Sequence, residues 1–440
     1  MSAWRTAPSR GRRCPGAFEK QDDVDKISTV EQALHTAAPH ALLDVVTAAL
    51  AEQYGAEQVE LRMVDYGMRS LQSVNPETRG GGPETRDMEP VPIQGSPQGR
   101  AFGSQEPCVT RHARQDAVTV HLPMTIRGDR LGVLSVRLPG EHDARTRIPH
   151  LQAVCAALGR EILVAQRDTD LYLLARRATR LTLAAEMQWQ LLPGHSCSRP
   201  EFSLGAHLEP AYAIFGDNFD WSASADHLTL TITNGMGEGI EASLLTNLAV
   251  NALRNARRAG LGLCDQASLA DQAVYAHYRG ASSVSALLLQ FDLATGDVAV
   301  VDAGSPRMWR QREGAVEAVR FDAQLPLGMF EDTVYVAEHF TARPGDRLLF
   351  GSDGVYEALS PSGESYGERA LTRALGNTRL LPPTQVPQAV LHQLAGFRPE
   401  SPLDDDALVV CLDWYGRKER RGPAQGQQPK TDGGGLWRIR

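Results

Sequence analysis

The strongest constraint on how this chain can fold lies between Phe202 and Trp414. Short apolar runs with a two-residue alternation recur there, and several of them stop abruptly at glycine and an acid. The strand candidates are FSLGAHLEPA, HLTLTIT, VSALLLQFDL, DVAVVDAG, RMWRQ, VYVAEHF, DRLLFGSD and DALVVCLDW. Two helical stretches interrupt them, EASLLTNLAVNALRNARRAG and SLADQAVYAHYRG, and two more, ERALTRAL and TQVPQAVLHQLAGF, precede the last strand. Two antiparallel sheets flanked by helices, an α+β sandwich, fit that order best.

The acids stand where strands stop. Asp217 lies in FGDNFD, Asp353 ends the apolar run of LLFGSDGVYEA, and Asp404, Asp405 and Asp406 precede the final strand. One carboxylate at a strand end is an ordinary turn residue. Three such places in one domain, beside glycines that allow close backbone approach, point to a site for hard divalent cations such as magnesium or manganese. The net charge of −8 suits a cation site and argues against non-specific nucleic-acid binding. One run breaks the pattern. TITNGMGEGIEASLL ends its strand in Asn234-Gly235, so this loop offers a neutral amide where chemistry of this kind asks for a charge.

Taken together, FGDNFD, TNGMGEGIEASLL, DAGSPRMW, QLPLGMF, PGDRLLFGSDGVYEA and LDDDALVV resemble, in order and spacing, the SpoIIE/RsbU branch of the metal-dependent protein phosphatase (PPM) family. The helix ending AEMQWQLLP resembles the segment that precedes the domain in that branch. The resemblance implies an α/β/β/α sandwich with two manganese or magnesium ions between the sheets. It implies metal-assisted attack of water on a phosphoserine or phosphothreonine. It also implies a phosphorylated anti-sigma-factor antagonist of STAS fold as the partner. Position by position, Asp217 matches the first metal aspartate, Asp353 the one after the LLF strand, and Asp404 the last, with Asp405 as its fallback. These aspartates are the implied catalytic set. Gly235 matches a glycine whose carbonyl ligates metal, and Asn234 falls where the family has the aspartate that bridges both ions. Glu238, Asn218 and Ser305 also depart from the family pattern. Two readings stay open: a weakened phosphatase, in which Glu238 or Asp220 leans in to help, and an inactive pseudophosphatase that binds a phosphoprotein or STAS-domain partner as a signalling scaffold.

The rest of the 440 residues divides as follows. Residues 1–37 and the basic tail 416–440 lack apolar periodicity and are expected to be disordered. Residues 38–167 read as a helix, a strand at QVELRMV, a long polar loop, a short helix at SPQGRAF, and a hairpin turning at Arg127-Gly128-Asp129. GRAFGSQEPCV and LPMTIRGDRLGVLSV resemble a GAF sensory domain, which implies either an unknown small ligand or a module that serves only in dimerisation. From about Arg145 to Leu192 the leucines and alanines keep helical spacing with few breakers. A continuous helix is expected there, its part over 168–194 linking the GAF-like domain to a phosphatase domain at 195–415 and pairing with its twin in a homodimer. The 6 scattered cysteines contain no CxxC pair and read as free thiols in a reducing cytoplasm. The N-terminal arginines are followed by no apolar segment, so no secretory signal is expected, and no apolar run reads as long enough to span a membrane.

Overall fold

The structure, a computed structural model, describes residues 27–74, 89–111, 117–209, 216–304, 306–398 and 405–417. Ser305 and Asp404, singled out from the sequence, lie outside the described residues, as do nearly all of the basic tail and most of the N-terminal region.

The first domain begins earlier than its sequence suggests. Residues 27–36 are helical (α1) rather than disordered, because Val30 and Leu34, one turn apart, are both buried. α2 (Leu42–Tyr54) follows, then β1 (Gln58–Val64), β2 (Ser70–Ser73), β3 (Val91–Pro92), α3 (Pro97–Ser104), β4 (Cys108–Arg111), β5 (Ala117–Ile126), β6 (Asp129–Pro139) and α4 (Glu141–Ala165). The strands form one antiparallel sheet in the order β3-β2-β1-β6-β5-β4. The β5–β6 hairpin turns on Arg127 and Gly128, at φ 54° and 98°, the two left-handed residues that a tight hairpin matching sheet twist requires. Helices α1, α2 and α4 cover one face of the sheet, and Phe102 of α3 packs with Leu71 and Val133 on the other.

The expected continuous helix does not form. α4 ends at Ala165, a short α5 covers Leu171–Ala175, and α6 covers Leu183–Leu191. Between α4 and α5 the polar run Asp168-Thr169-Asp170 competes with the helix: the Thr169 hydroxyl takes the Leu171 N–H at 3.3 Å. α6 starts afresh on Thr182, whose hydroxyl accepts from the Ala185 N–H at 3.1 Å. The leucines that gave the stretch its period serve separate cores. Leu151, Leu158 and Ile162 of α4, with Tyr172 of α5, are buried in the first domain. The rod on which a paired linker rested is therefore absent. A second expectation changes as well. Residues 144–165 of α4 are long and apolar enough to cross a membrane by length and composition, although one side of that helix is buried against the sheet.

The second domain is an α/β/β/α sandwich. Its strands are β7 (Ser196–Ser198), β8 (Phe202–Glu209), β9 (Asp217–Ala223), β10 (His227–Gly235), β11 (Val284–Asp292), β12 (Asp297–Ala303), β13 (Arg307–Arg312), β14 (Ala315–Val319), β15 (Glu338–Thr341), β16 (Arg347–Gly351) and β17 (Ala407–Trp414). Its helices are α7 (Gly239–Arg258), α8 (Leu263–Tyr278), α9 (Asp353–Tyr356), α10 (Leu371–Asn377) and α11 (Val386–Phe397). One sheet runs β15-β12-β11-β10-β9 and the other β14-β13-β16-β17-β8-β7. Alternation sorts the side chains. Leu228, Leu230 and Ile232 of β10 and Leu287, Leu289 and Phe291 of β11 face Leu204, Phe350, Leu408 and Val410 across the central core. The outer faces are covered by α7 and α8 on one sheet and by α9, α10 and α11 on the other. Each fully buried leucine contributes about 1.5–3 kcal/mol, so this core fixes the sheets face to face before any polar group is considered.

The two domains touch directly. The β5–β6 turn docks on β7, where the Ser198 N–H donates to the Arg127 carbonyl at 3.3 Å and the Ser196 hydroxyl to the Gly128 carbonyl at 2.6 Å. The Tyr66 ring, from the first domain, lies 4.7 Å from Trp189 of α6 and joins the core of the second.

Candidate functional site

The site forms where β9 begins and β10 ends. These strands pair so that Asp217 stands directly opposite Asn234. Asp217 is buried, and neither of its carboxylate oxygens has a hydrogen-bond partner. Burial pushes its pKa well above the usual carboxylate range and the carboxylate of Asp406 adds to the effect; the nearby Ser352 hydroxyl pulls the other way, and Asp353 and Asp405 add smaller shares. A buried acceptor with no donor is costly unless a cation meets it.

The loop carrying Asp217 is held from two sides. Asp406 Oδ2 accepts the Gly216 N–H at 2.9 Å and the Asp217 N–H at 3.1 Å. The buried Gln188 of α6 donates its side-chain amide to the Asp217 carbonyl. Glycine is needed for the approach. Gly216 sits at φ 129°, and a Cβ there would lie 2.5 Å from the Gly235 carbonyl oxygen. Gly235 itself, the expected carbonyl ligand, ends β10 against Thr246 of α7, whose hydroxyl would be 2.3 Å from an added Cβ.

Asp353 opens α9 immediately after β16. Its Oδ1 accepts the Asn234 side-chain amide at 2.5 Å and its own Gly354 N–H at 3.1 Å. Asn234 therefore works as a donor to the acid it faces. An aspartate there would add a second negative charge beside Asp353. Asp405 lies at the same mouth, half-buried, its pKa raised by burial, with Asp353 and Glu238 also pushing it up. Its Oδ1 accepts the Asp406 N–H at 2.8 Å.

Of the residues chosen from sequence, Asp217, Asn234, Gly235, Asp353 and Asp405 are thus brought to one end of the sandwich. Two expected helpers behave differently. Asp220 does not lean in: Arg254 and Arg257 of α7 hold it at 2.7 and 2.9 Å. Glu238 occupies the residue before α7 without a side-chain capping bond, and reaches the cluster only through its charge. Asn218 is fully buried, and both polar atoms of its side chain lack hydrogen-bond partners. Two contributors were not singled out from sequence. Asp406 was hidden in the triple aspartate, where only the strand register separates a loop organiser from its neighbours. Gln188 sat within the recognised AEMQWQLLP segment, yet nothing local marks it as the residue that reaches β9.

Asp217, Asp353 and Asp405 fit a hard divalent ion in donor type and charge. The unpartnered, buried Asp217 carboxylate is the observation that favours a cation most directly. Asn234 is the position that does not fit a carboxylate bridge. Among the described residues, no three His, Cys, Asp or Glu side chains are arranged as a ready set around one ion.

Residues 224–415 match the model of the family described as Stage II sporulation protein E (SpoIIE). The C-terminal region is a SpoIIE-type phosphatase domain. The match begins seven residues after Asp217 and takes in Asn234, Asp353 and Asp405. Among solved structures, the SpoIIE-type domain is similar to the SiaA-PP2C domain of Pseudomonas aeruginosa at 20% identity and TM-score 0.46, over 52% of this chain and 94% of that one. It is similar to the RsbU and RsbW domains of a Mycobacterium tuberculosis protein at 20% identity and TM-score 0.44, over 50% of this chain and 61% of that one. The phosphatase domain of SpoIIE from Bacillus subtilis, solved with a fragment of its regulatory domain, is 14% identical at TM-score 0.45, over 70% of this chain and 82% of that one. No curated protein sequence matches the chain.

Proposed function

We propose that this chain is a metal-dependent phosphoprotein phosphatase of the SpoIIE type, acting on phosphoserine or phosphothreonine, with turnover damped by Asn234. The observation that carries the reading is Asp217: a buried carboxylate with no formed hydrogen bond, only the Ser352 hydroxyl nearby, in the field of three other aspartates. Manganese or magnesium bound there would activate water and neutralise charge on the phosphoryl oxygens. Asp217, Asp353 and Asp405 would hold the cation, with the Gly235 carbonyl as the further ligand that the resemblance implies. Asp406 and Gln188 keep the Gly216–Asp217 loop at its place. The favoured substrate is a phosphorylated anti-sigma-factor antagonist of STAS fold, following the resemblance of the motifs. The first domain, GAF-like by resemblance, is the regulatory half.

A second reading, a pseudophosphatase that binds without turnover, is favoured by the Asn234–Asp353 hydrogen bond, which occupies an oxygen the metal would need. A charge pair at about 4 Å is worth about 4 kcal/mol at an effective dielectric of about 20, so the missing carboxylate is large enough to empty one of two metal positions. The test is phosphate release from phosphorylated STAS-domain proteins with manganese. Wild type should be slow, Asn234→Asp faster by tenfold or more with tighter manganese binding by calorimetry, and Asp353→Asn inactive. Tight partner binding with no release from any form would leave the pseudophosphatase.

A further inference from the structure

A cleft of about 730 Å³ opens between the two domains, away from the aspartates. Its walls come from both sides of the interface: Met68, Ile93 and Phe102 from the first domain, Leu381 and Leu391 from the second. That volume is typical of sites that enclose a small organic molecule. The walls are held apart at a fixed spacing by polar ties. Gln388 of α11 donates to the Met68 carbonyl at 2.8 Å, and Gln385 donates to the Gly103 carbonyl at 2.6 Å.

One charged group in the cleft stands out. The Arg130 guanidinium lines it, 6.0 Å from the Phe102 ring centre, and donates to the Thr384 hydroxyl at 2.8 Å. Among the described residues no carboxylate pairs with it. Glu209, at the rim, is taken by Arg69 at 3.1 Å, and Asp129, next in sequence, makes no ion pair with Arg130 and accepts the His195 backbone N–H at 3.2 Å. Burial alone pushes the Arg130 pKa down to about 10, as happens to a guanidinium that has lost water and gained no anion. A guanidinium presents five N–H donors in a fork matched to carboxylate, sulfonate or phosphate oxygens, and most of this fork is uncommitted.

We propose that the interdomain cleft binds a small organic anion with an apolar body, its acid group on Arg130 and its body between Phe102 and Leu391. The site belongs to both domains, so its occupant strengthens their docking. It is independent of the phosphatase reading: it needs neither metal nor turnover.

The experiment uses the full chain and two fluorescent probes of similar shape, 8-anilinonaphthalene-1-sulfonate and the uncharged N-phenyl-1-naphthylamine. The wild type should bind the sulfonate saturably at one site and the neutral probe at least tenfold more weakly, a charge-assisted contact being worth that much. Arg130→Gln should weaken the sulfonate by about tenfold or more and leave the neutral probe unchanged. Ala389→Trp, which puts bulk into the cleft from α11, should weaken both. Sulfonate affinity unchanged in both variants, equal affinity for the two probes in wild type, or no saturable sulfonate binding would each overturn the assignment.

Discussion

Asp217 shows how one residue can be both a liability and the centre of a site. Its carboxylate is buried, has no formed hydrogen bond although the Ser352 hydroxyl is near, and faces Asp406, Asp353 and Asp405. Without a cation, the fold carries the cost of a desolvated acceptor, about 1–3 kcal/mol. Asp217→Asn keeps the shape, removes the charge and supplies two N–H donors to neighbouring carboxylates. In chelator the variant should therefore unfold at a higher temperature than wild type. Excess manganese should raise the wild-type transition and leave the variant where it was, because only a ligand that binds the folded state shifts the transition. Thermal unfolding with and without chelator reads both effects. A variant less stable than wild type in chelator would mean that the Asp217 carboxylate is already satisfied by the protein.

At the scale of elements, the site depends on how closely α9 and β17 approach. Gly354, the second residue of α9, has no room for a side chain: a Cβ there would lie 2.0 Å from the Asp406 carbonyl oxygen. Ser352 ties the same two elements, its N–H donating to the Leu408 carbonyl at 3.1 Å and its hydroxyl receiving the Leu408 N–H at 3.0 Å. Gly354→Ala must push α9 away from β17, at a cost of about 1–3 kcal/mol. That movement separates Asp353 from Asp405 and Asp406. The urea midpoint should fall and manganese affinity should fall with it. An unchanged midpoint would show that the approach of α9 to β17 is soft. The broken linker teaches the complementary lesson. A Thr169 side-chain turn and a Thr182 cap interrupt a stretch whose apolar spacing alone reads as one rod.

For the whole molecule, the junction between domains is a buried polar spot in an apolar seam. The His195 ring stacks 5.3 Å from Trp189, its Nδ1 is buried without a hydrogen-bond partner, and the backbone N–H of the residue donates to Asp129 at 3.2 Å. Burial pushes its pKa down to about 3, with Arg176 and His207 adding to the effect. The folded protein thus resists protonating His195, whereas the unfolded chain protonates near pH 6.5. Stability from this group is full above about pH 6.5 and is lost as pH falls toward 3, by about 2 kcal/mol between pH 6.5 and 5. Asp129, whose pKa burial raises, works in the opposite sense as pH falls. His195→Gln removes only the histidine's share, so its unfolding temperature should fall less than that of wild type between pH 7 and 5. Parallel pH profiles for the two proteins would remove His195 from the account.

The alternation of HLTLTIT, VSALLLQFDL and DALVVCLDW was enough to place β10, β11 and β17, because burial on a sheet is a local, two-residue code. The glycine-and-acid punctuation was enough to place Asn234, Gly235, Asp353 and Asp405 at strand ends, because turns have local chemistry; Asp217 instead opens β9. Local pattern did not reveal β9 or β14, which are short or too polar on the exposed side, nor the breaks after α4, where side-chain caps override spacing. Tertiary structure alone decided which acid does what. Asp405 and Asp406 are neighbours in one polar run, yet strand register turns Asp406 inward to grip the Asp217 loop and leaves Asp405 at the mouth. It also decided that Asp220 is spent on arginines and that Arg130 and Leu391, 261 positions apart, share one cleft. Sequence encodes what each segment prefers; the partners a charged group meets are set by which segments the cores bring together, and no local pattern carries that information.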